Sequence, residues 1–79
     1  MMKPVNYDRH AKRRMEERGV TDEEVEITIR EPEHSKASIK GRQNAYRFVG
    51  GRFLRVTFKE EVKNILVITV TVRRRPFKE

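Results

Sequence analysis

Gly50-Gly51 stands between two β-rich runs, residues 43–49 and 52–59, and this pair of glycines constrains the fold more than any other feature. A two-residue glycine turn supplies the positive φ that a tight hairpin requires, so the two runs are predicted to pair antiparallel. A third run, 63–74, follows a turn around Glu60 and Glu61. A short one, 33–38, comes earlier, with Gly41 in the turn after it. Connections this short predict an antiparallel meander.

Two helices are predicted ahead of the strands. Asp8 suits the N-cap of the first, over 8–18, and Gly19 suits the left-handed position that ends it. Tyr7, Ala11 and Met15 recur every fourth residue as an apolar stripe, which the stem of Arg18 extends. Thr21 and Glu24 form a capping box for the second helix, over 22–30. Asp22, Glu23 and Glu24 then occupy its first turn, where negative charge suits the helix dipole. Val20 and Val25 are placed to staple its start, Val25, Thr28 and Ile29 to face inward, and Pro32 to stop it. The expected architecture is α+β: two N-terminal helices packed on one face of a four-stranded antiparallel sheet, in the order α-α-β-β-β-β, as a single domain over 1–79.

Strand alternation divides the sheet into two faces. Tyr46 and Phe48, then Leu54, Val56 and Phe58, then Leu66, Ile68, Val70 and Val72 form a set that is almost wholly apolar and is expected under the helices. Ala45, Arg47 and Val49, then Phe53, Arg55 and Thr57, then Ile65, Val67, Thr69, Thr71 and Arg73 form the opposite set. That face mixes arginine and threonine with apolar residues, which marks it as a partner surface.

The chain has 79 residues, no cysteine and a formal net charge of +7. Disulfides and thiolate metal sites are therefore excluded. Two distant histidines make a poor metal site, and the carboxylates of the acidic turn diverge, so neither a metal nor another cofactor is expected. No apolar run reaches the ~20 residues of a membrane span, and the N-terminus lacks the apolar core of a signal peptide. The expectation is a soluble cytoplasmic protein with no membrane partner. The charge is segregated: residues 1–20 and 35–79 are basic, whereas 21–34 are acidic. A basic field of this size attracts polyanions, and RNA is the partner it favours. A thin core and an exposed apolar face also make a homodimer an expectation.

The first helix gathers polar chemistry beside this charge. His10 lies near its start, with Arg13 and Arg14 alongside at helical spacing and Glu17 a turn further on. An imidazole flanked by guanidinium groups is what proton transfer near a phosphate needs.

The run His10-Ala11-Lys12-Arg13-Arg14-Met15-Glu16-Glu17-Arg18-Gly19-Val20-Thr21 resembles the opening of the domain-of-unknown-function 4258 family. The likeness continues through an acidic second helix ending in Glu31-Pro32, through Phe53-Leu54-Arg55-Val56, and through Val67-Ile68-Thr69-Val70, so it covers roughly 8–72. The resemblance implies a fold similar to the RelE, barnase and EndoU group of small ribonucleases and toxins. It also implies a toxin-type endoribonuclease with an antitoxin protein as its natural partner, and it carries His10 and Arg14 over as site positions. One departure stands out. Family members often place an aromatic residue near the end of the last strand, where this chain has Thr71 and Val72; stacking on a base would then fall to Tyr46 or Phe77.

Metal-free RNA cleavage needs a base for the 2′-hydroxyl, cations for the charge that develops at phosphorus, and an acid for the leaving oxygen. His10 is the candidate base. Arg13, Arg14, Arg47, Arg55 and Arg73 are candidates for holding phosphate, since guanidinium binds it in a bidentate fork. Thr71, with Thr69 or Tyr46, is a candidate for orienting the substrate. His34, close after Pro32, reads more simply as a residue at the start of a strand. The alternative function is a non-catalytic module that docks a protein or nucleic acid on the mixed sheet face.

Overall fold

The computed structural model describes residues 3–74; Phe77 and the rest of the final segment lie outside the described residues. The chain begins with strand β1 (Val5–Tyr7), then helices α1 (Arg9–Arg18) and α2 (Asp22–Arg30), then strands β2 (His34–Ala37), β3 (Gln43–Val49), β4 (Arg52–Glu60) and β5 (Ile65–Arg73). A short 3-10 turn, Ile39–Gly41, joins β2 to β3.

The helix ends follow the local chemistry. The Asp8 carboxylate accepts from the His10 backbone N–H at 2.9 Å. Gly19 takes up φ 65°, ψ 35° after the last turn of α1. At α2, Thr21 Oγ1 accepts from the Glu24 N–H while the Glu24 carboxylate accepts from the Thr21 N–H, a reciprocal pair that satisfies two otherwise orphaned donors. Ala11 and Met15 of α1, Val20 of the corner, and Val25 and Thr28 of α2 are buried. Burial of the Thr28 hydroxyl is offset by a 2.7 Å bond donated to the Glu24 carbonyl.

Among the described residues the sheet has five strands in the order β1-β5-β4-β3-β2, and this corrects the four-stranded antiparallel expectation. β2 to β5 form the meander, with Gly50 at φ 64° and Gly51 at φ 81° in the tight turn between β3 and β4. The added strand is β1, which pairs parallel with β5 through Val5↔Ile65 and Tyr7↔Val67, so the sheet is mixed. Tyr7 therefore belongs to a strand and not to the stripe of α1. Three residues are too few to show a period, and their pairing is dictated by a strand near the other end of the chain.

Face assignments are also corrected. Cross-strand partners share a face, and β3 pairs with β4 through Ala45↔Val56, Arg47↔Leu54 and Val49↔Arg52. Ala45, Arg47 and Val49 thus join Leu54, Val56 and Phe58 on the helix side, and Tyr46 and Phe48 face the other way. On β5 a register shift opposite Thr57/Phe58 makes Ile68 an extra residue. Alternation slips there, so Ile65 and Val67 share the helix side with Val70 and Val72, while Leu66, Thr69, Thr71 and Arg73 point to the opposite side. The core consists of Ala11, Met15, Val20, Val25, Ala45, Leu54, Val56, Phe58, Ile65, Val67 and Val70, all between the helices and this one face.

Two arginines brace the helices from the helix side of the sheet. Arg52 donates to the carbonyls of Arg18 and Gly19, at 2.8 and 2.7 Å, and to the Glu24 carboxylate at 3.3 Å. Arg47 donates to the Glu31 carbonyl at 2.6 Å. Each guanidinium thus sits at the carbonyl end of one helix, where the dipole favours positive charge.

Candidate nucleic-acid interface

The sheet face without helices is built from alternating residues of β2 to β5, and the register arranges them in rows. His34, Tyr46, Arg55 and Thr71 are successive cross-strand partners and form the central row. Three strand spacings carry this row across about 14 Å. The rings of His34 and Tyr46 are 5.3 Å apart between centroids and inclined by 41°. Arg55 Nη2 donates to Thr71 Oγ1 at 3.3 Å.

Two further rows flank it. Phe48, Phe53 and Arg73 lie on one side, with the two rings packed edge to face at 4.8 Å. Lys36, Asn44, Thr57 and Thr69 lie on the other, where the Thr57 hydroxyl donates to Asn44 Oδ1 at 2.7 Å. Lys59 stands beyond Thr57 on the same face of β4. Among the described strand residues, those on this face include no Asp or Glu. The one strand carboxylate, Glu60, pairs with Ile65 and so belongs to the helix side.

The expected site residues fall in two places. Arg55, Thr71 and Arg73 come together on the open face. Arg47 is on the helix side, with its guanidinium at the Glu31 carbonyl. His10, Arg13 and Arg14 are exposed on α1, in the layer on the other side of the sheet. Sequence reasoning read His34 as a strand-entry residue, passed over Asn44, and placed Tyr46 and Phe48 on the core face while keeping Tyr46 as a stacking candidate. A signal for the last three was available. A two-residue turn at Gly50-Gly51 makes 49 face with 52, 47 with 54 and 45 with 56, and so sends 44, 46 and 48 to the side opposite Leu54 and Val56.

Tyr7, on the helix side, is the described group whose ionisation is clearly displaced. Burial holds its hydroxyl protonated well above the usual tyrosine range, and the carboxylates of Asp22, Glu26 and Glu23 add to this. The hydroxyl has no hydrogen-bond partner, and Lys12 Nζ lies 5.3 Å above the ring. Among the described residues no cluster of three His, Asp or Glu side chains is arranged to hold a metal ion. No helix among the described residues is long and apolar enough to cross a membrane.

Helices on one side of a mixed sheet, with basic and aromatic residues gathered on the other, define a two-layer α+β domain. The chain belongs to the family described as Domain of unknown function (DUF4258), which matches residues 7–72. No curated protein and no solved structure gives a significant match.

Proposed function

We propose that this protein binds RNA on the open face of its sheet and cleaves it without a metal, as a toxin-type endoribonuclease with a RelE/barnase-like fold. The observation that carries the reading is the central row, in which an imidazole, a phenol, a guanidinium and a hydroxyl follow one another on a face whose described strand residues include no carboxylate. Arg55 would hold the phosphate and offset the charge that builds at phosphorus. His34 would accept the 2′-hydroxyl proton as that oxygen attacks phosphorus and the bond to the 5′-oxygen breaks; the leaving oxygen takes a proton from solvent. Tyr46 supplies a ring on which a base stacks. An antitoxin protein would silence the enzyme by covering this same face.

The test is cleavage of a mixed-sequence RNA in the presence of a chelator, together with RNA affinity, for the wild type, His34→Ala, Arg55→Ala and His10→Ala at equal folded concentration. The expected result is cleavage by the wild type and His10→Ala and loss in His34→Ala. Loss in His10→Ala alone would move the chemistry to α1. Salt-sensitive RNA binding without cleavage by any form would leave a non-catalytic binding module, and no binding at low salt would end the RNA reading.

A further inference from the structure

We propose that the cleft at the β2–β3 hairpin is a phosphate site, in which the guanidinium of Arg42 and the hydroxyls of Ser35 and Ser38 hold a phosphomonoester or free phosphate. The site stands apart from the RNA reading above: no residue of the central row lines this cleft.

Four arginines are half-buried among the described residues, and three of them are tied down. Arg47 donates to the Glu31 carbonyl, Arg52 to the Arg18 and Gly19 carbonyls, and Arg55 to the Thr71 hydroxyl. Arg42 is the exception. Its guanidinium makes no hydrogen bond and no ion pair with any described group. A charge partly withdrawn from water and left without a partner favours an anion that restores what hydration it has lost.

Arg42 lines a cleft of about 330 Å³ together with Ser35, Ala37, Ser38, Gly41 and Gln43. The side chains of Ser35, Ser38 and Gln43 also make no hydrogen bond among the described residues. Ser38 stands at the head of the 3-10 turn, yet its hydroxyl does not bond back to it. Lys40 at φ 56° and Gly41 at φ 74° reverse the chain, and the Ser38 N–H donates to the Arg42 carbonyl at 2.8 Å. Residues 38 and 42 are therefore a hydrogen-bonded pair of the β2–β3 ladder. Alternation along that ladder turns the N–H groups of Ser35 and Ala37 away from β3, toward the outer edge of the sheet, which no described strand covers.

The groups at the cleft are donors, and their surroundings are positive. No Asp or Glu lines it, and none occurs between residues 34 and 59. Lys36, itself already engaged, also lines it and adds to the positive field. A guanidinium fork, two hydroxyls and two edge N–H groups suit an anion with several oxygens in a tetrahedral array. A phosphomonoester offers three such oxygens, a carboxylate only two in one plane. The volume lies at the lower end of small-molecule sites, which admits a phosphate with a small group attached.

The experiment is an NMR titration of the full ¹⁵N-labelled chain with inorganic phosphate, uridine monophosphate and acetate at constant ionic strength. It follows the Arg42 Nε–H and the Gln43 side-chain amide. Saturable shifts with a Kd of about 1 mM are expected for phosphate, as for a few charge-assisted bonds at a half-open site. Arg42→Gln should weaken binding about tenfold and Ser38→Ala about threefold. Arg13→Gln removes an arginine from the exposed face of α1 and should leave binding within about twofold. The same spectra report whether each variant is folded. Tighter binding of uridine monophosphate than of inorganic phosphate supports a phosphate carried on a nucleoside, and equal binding supports phosphate alone. Shifts that rise without saturating, an equal response to acetate, or wild-type affinity in Arg42→Gln overturns the proposal. An equal loss in Arg13→Gln also overturns it, because net charge alone would then account for the binding.

Discussion

Arg52 and Arg55 lie three residues apart on β4, face opposite sides of the sheet, and show how one residue type serves two ends. Arg52 turns toward the helices and places its donors on the Arg18 and Gly19 carbonyls and the Glu24 carboxylate. The Arg52–Glu24 side chains are only 25% and 19% exposed, so the pair is shielded and removal of one partner strands the other. Arg55 turns toward the opposite face, where it touches the hydroxyl of Thr71 and stands beside Tyr46. The first is a brace for the corner between α1 and α2; the second belongs to the central row of the opposite face. Parity along the strand decides which is which, and charge alone does not.

The comparison is broken most forcefully at Arg52. Arg52→Ala should lower unfolding stability by about 3 kcal/mol in urea denaturation, while the RNA affinity of the folded fraction stays within about twofold. Gly50→Ala comes next, at about 2 kcal/mol. It forces a side chain onto a backbone at φ 64° and sets a Cβ against the Glu24 carboxylate, so it disturbs the same corner from the turn. Arg55→Ala should show the opposite pattern: RNA affinity lower by about tenfold, a shallower salt dependence by about one unit of slope, and stability changed by less than about 1 kcal/mol. A large stability loss in Arg55→Ala would show that the two arginines are not divided in the way described. Thr21→Ala removes half of the capping box and should cost about 1 kcal/mol, read as a lower urea midpoint with an unchanged slope.

The smallest effect at neutral pH belongs to Tyr7. Its hydroxyl is buried and without a partner, so Tyr7→Phe should shift stability by no more than about 0.5 kcal/mol at pH 7. Alkaline conditions separate the two forms. Because the folded state holds this proton above the ordinary value of 10.0, the unfolded chain loses it first, and stability falls as pH rises beyond that value. The fall should be shallower in Tyr7→Phe, measured by urea unfolding at pH 7 and about pH 11.

Local chemistry was well written in the sequence. Asp8, Gly19, the Thr21–Glu24 box and Gly50-Gly51 each act through neighbours a few residues away, and each appears in the structure as its residue type dictates. What depends on distant partners was not legible. β1 exists because β5 offers it an edge, and no periodicity in three residues announces that. The bulge at Ile68 lies in a run of β-branched and aliphatic residues that suits either face, so an unbroken alternation assigned Ile65 and Val67 to the wrong side. Tyr46 and Phe48 go to the core face when apolar residues are grouped by alternation, although the register through Gly50-Gly51 assigns that side to Ala45 and Val49. The candidate site was legible in Arg55, Thr71 and Arg73 and in the charge. His34 needed the β2–β3 register, which no turn signal supplies.

The parallel pairing of β1 with β5 has a consequence for the order of assembly. β2 to β5 are joined by short turns and can close one hairpin after another, whereas Val5 meets Ile65 only when nearly the whole chain has been drawn into a loop. Only three residues then repay that entropy, flanked by the bonds from Ile65 N–H to the Pro4 carbonyl and from Asp8 N–H to the Val67 carbonyl. β1 is therefore the last strand to arrive and the first to leave, and the protein breathes from this edge. In hydrogen exchange, Tyr7 and Asp8 amides should report a partial opening at a lower free energy than the β4–β5 ladder, which gives way only with the whole molecule.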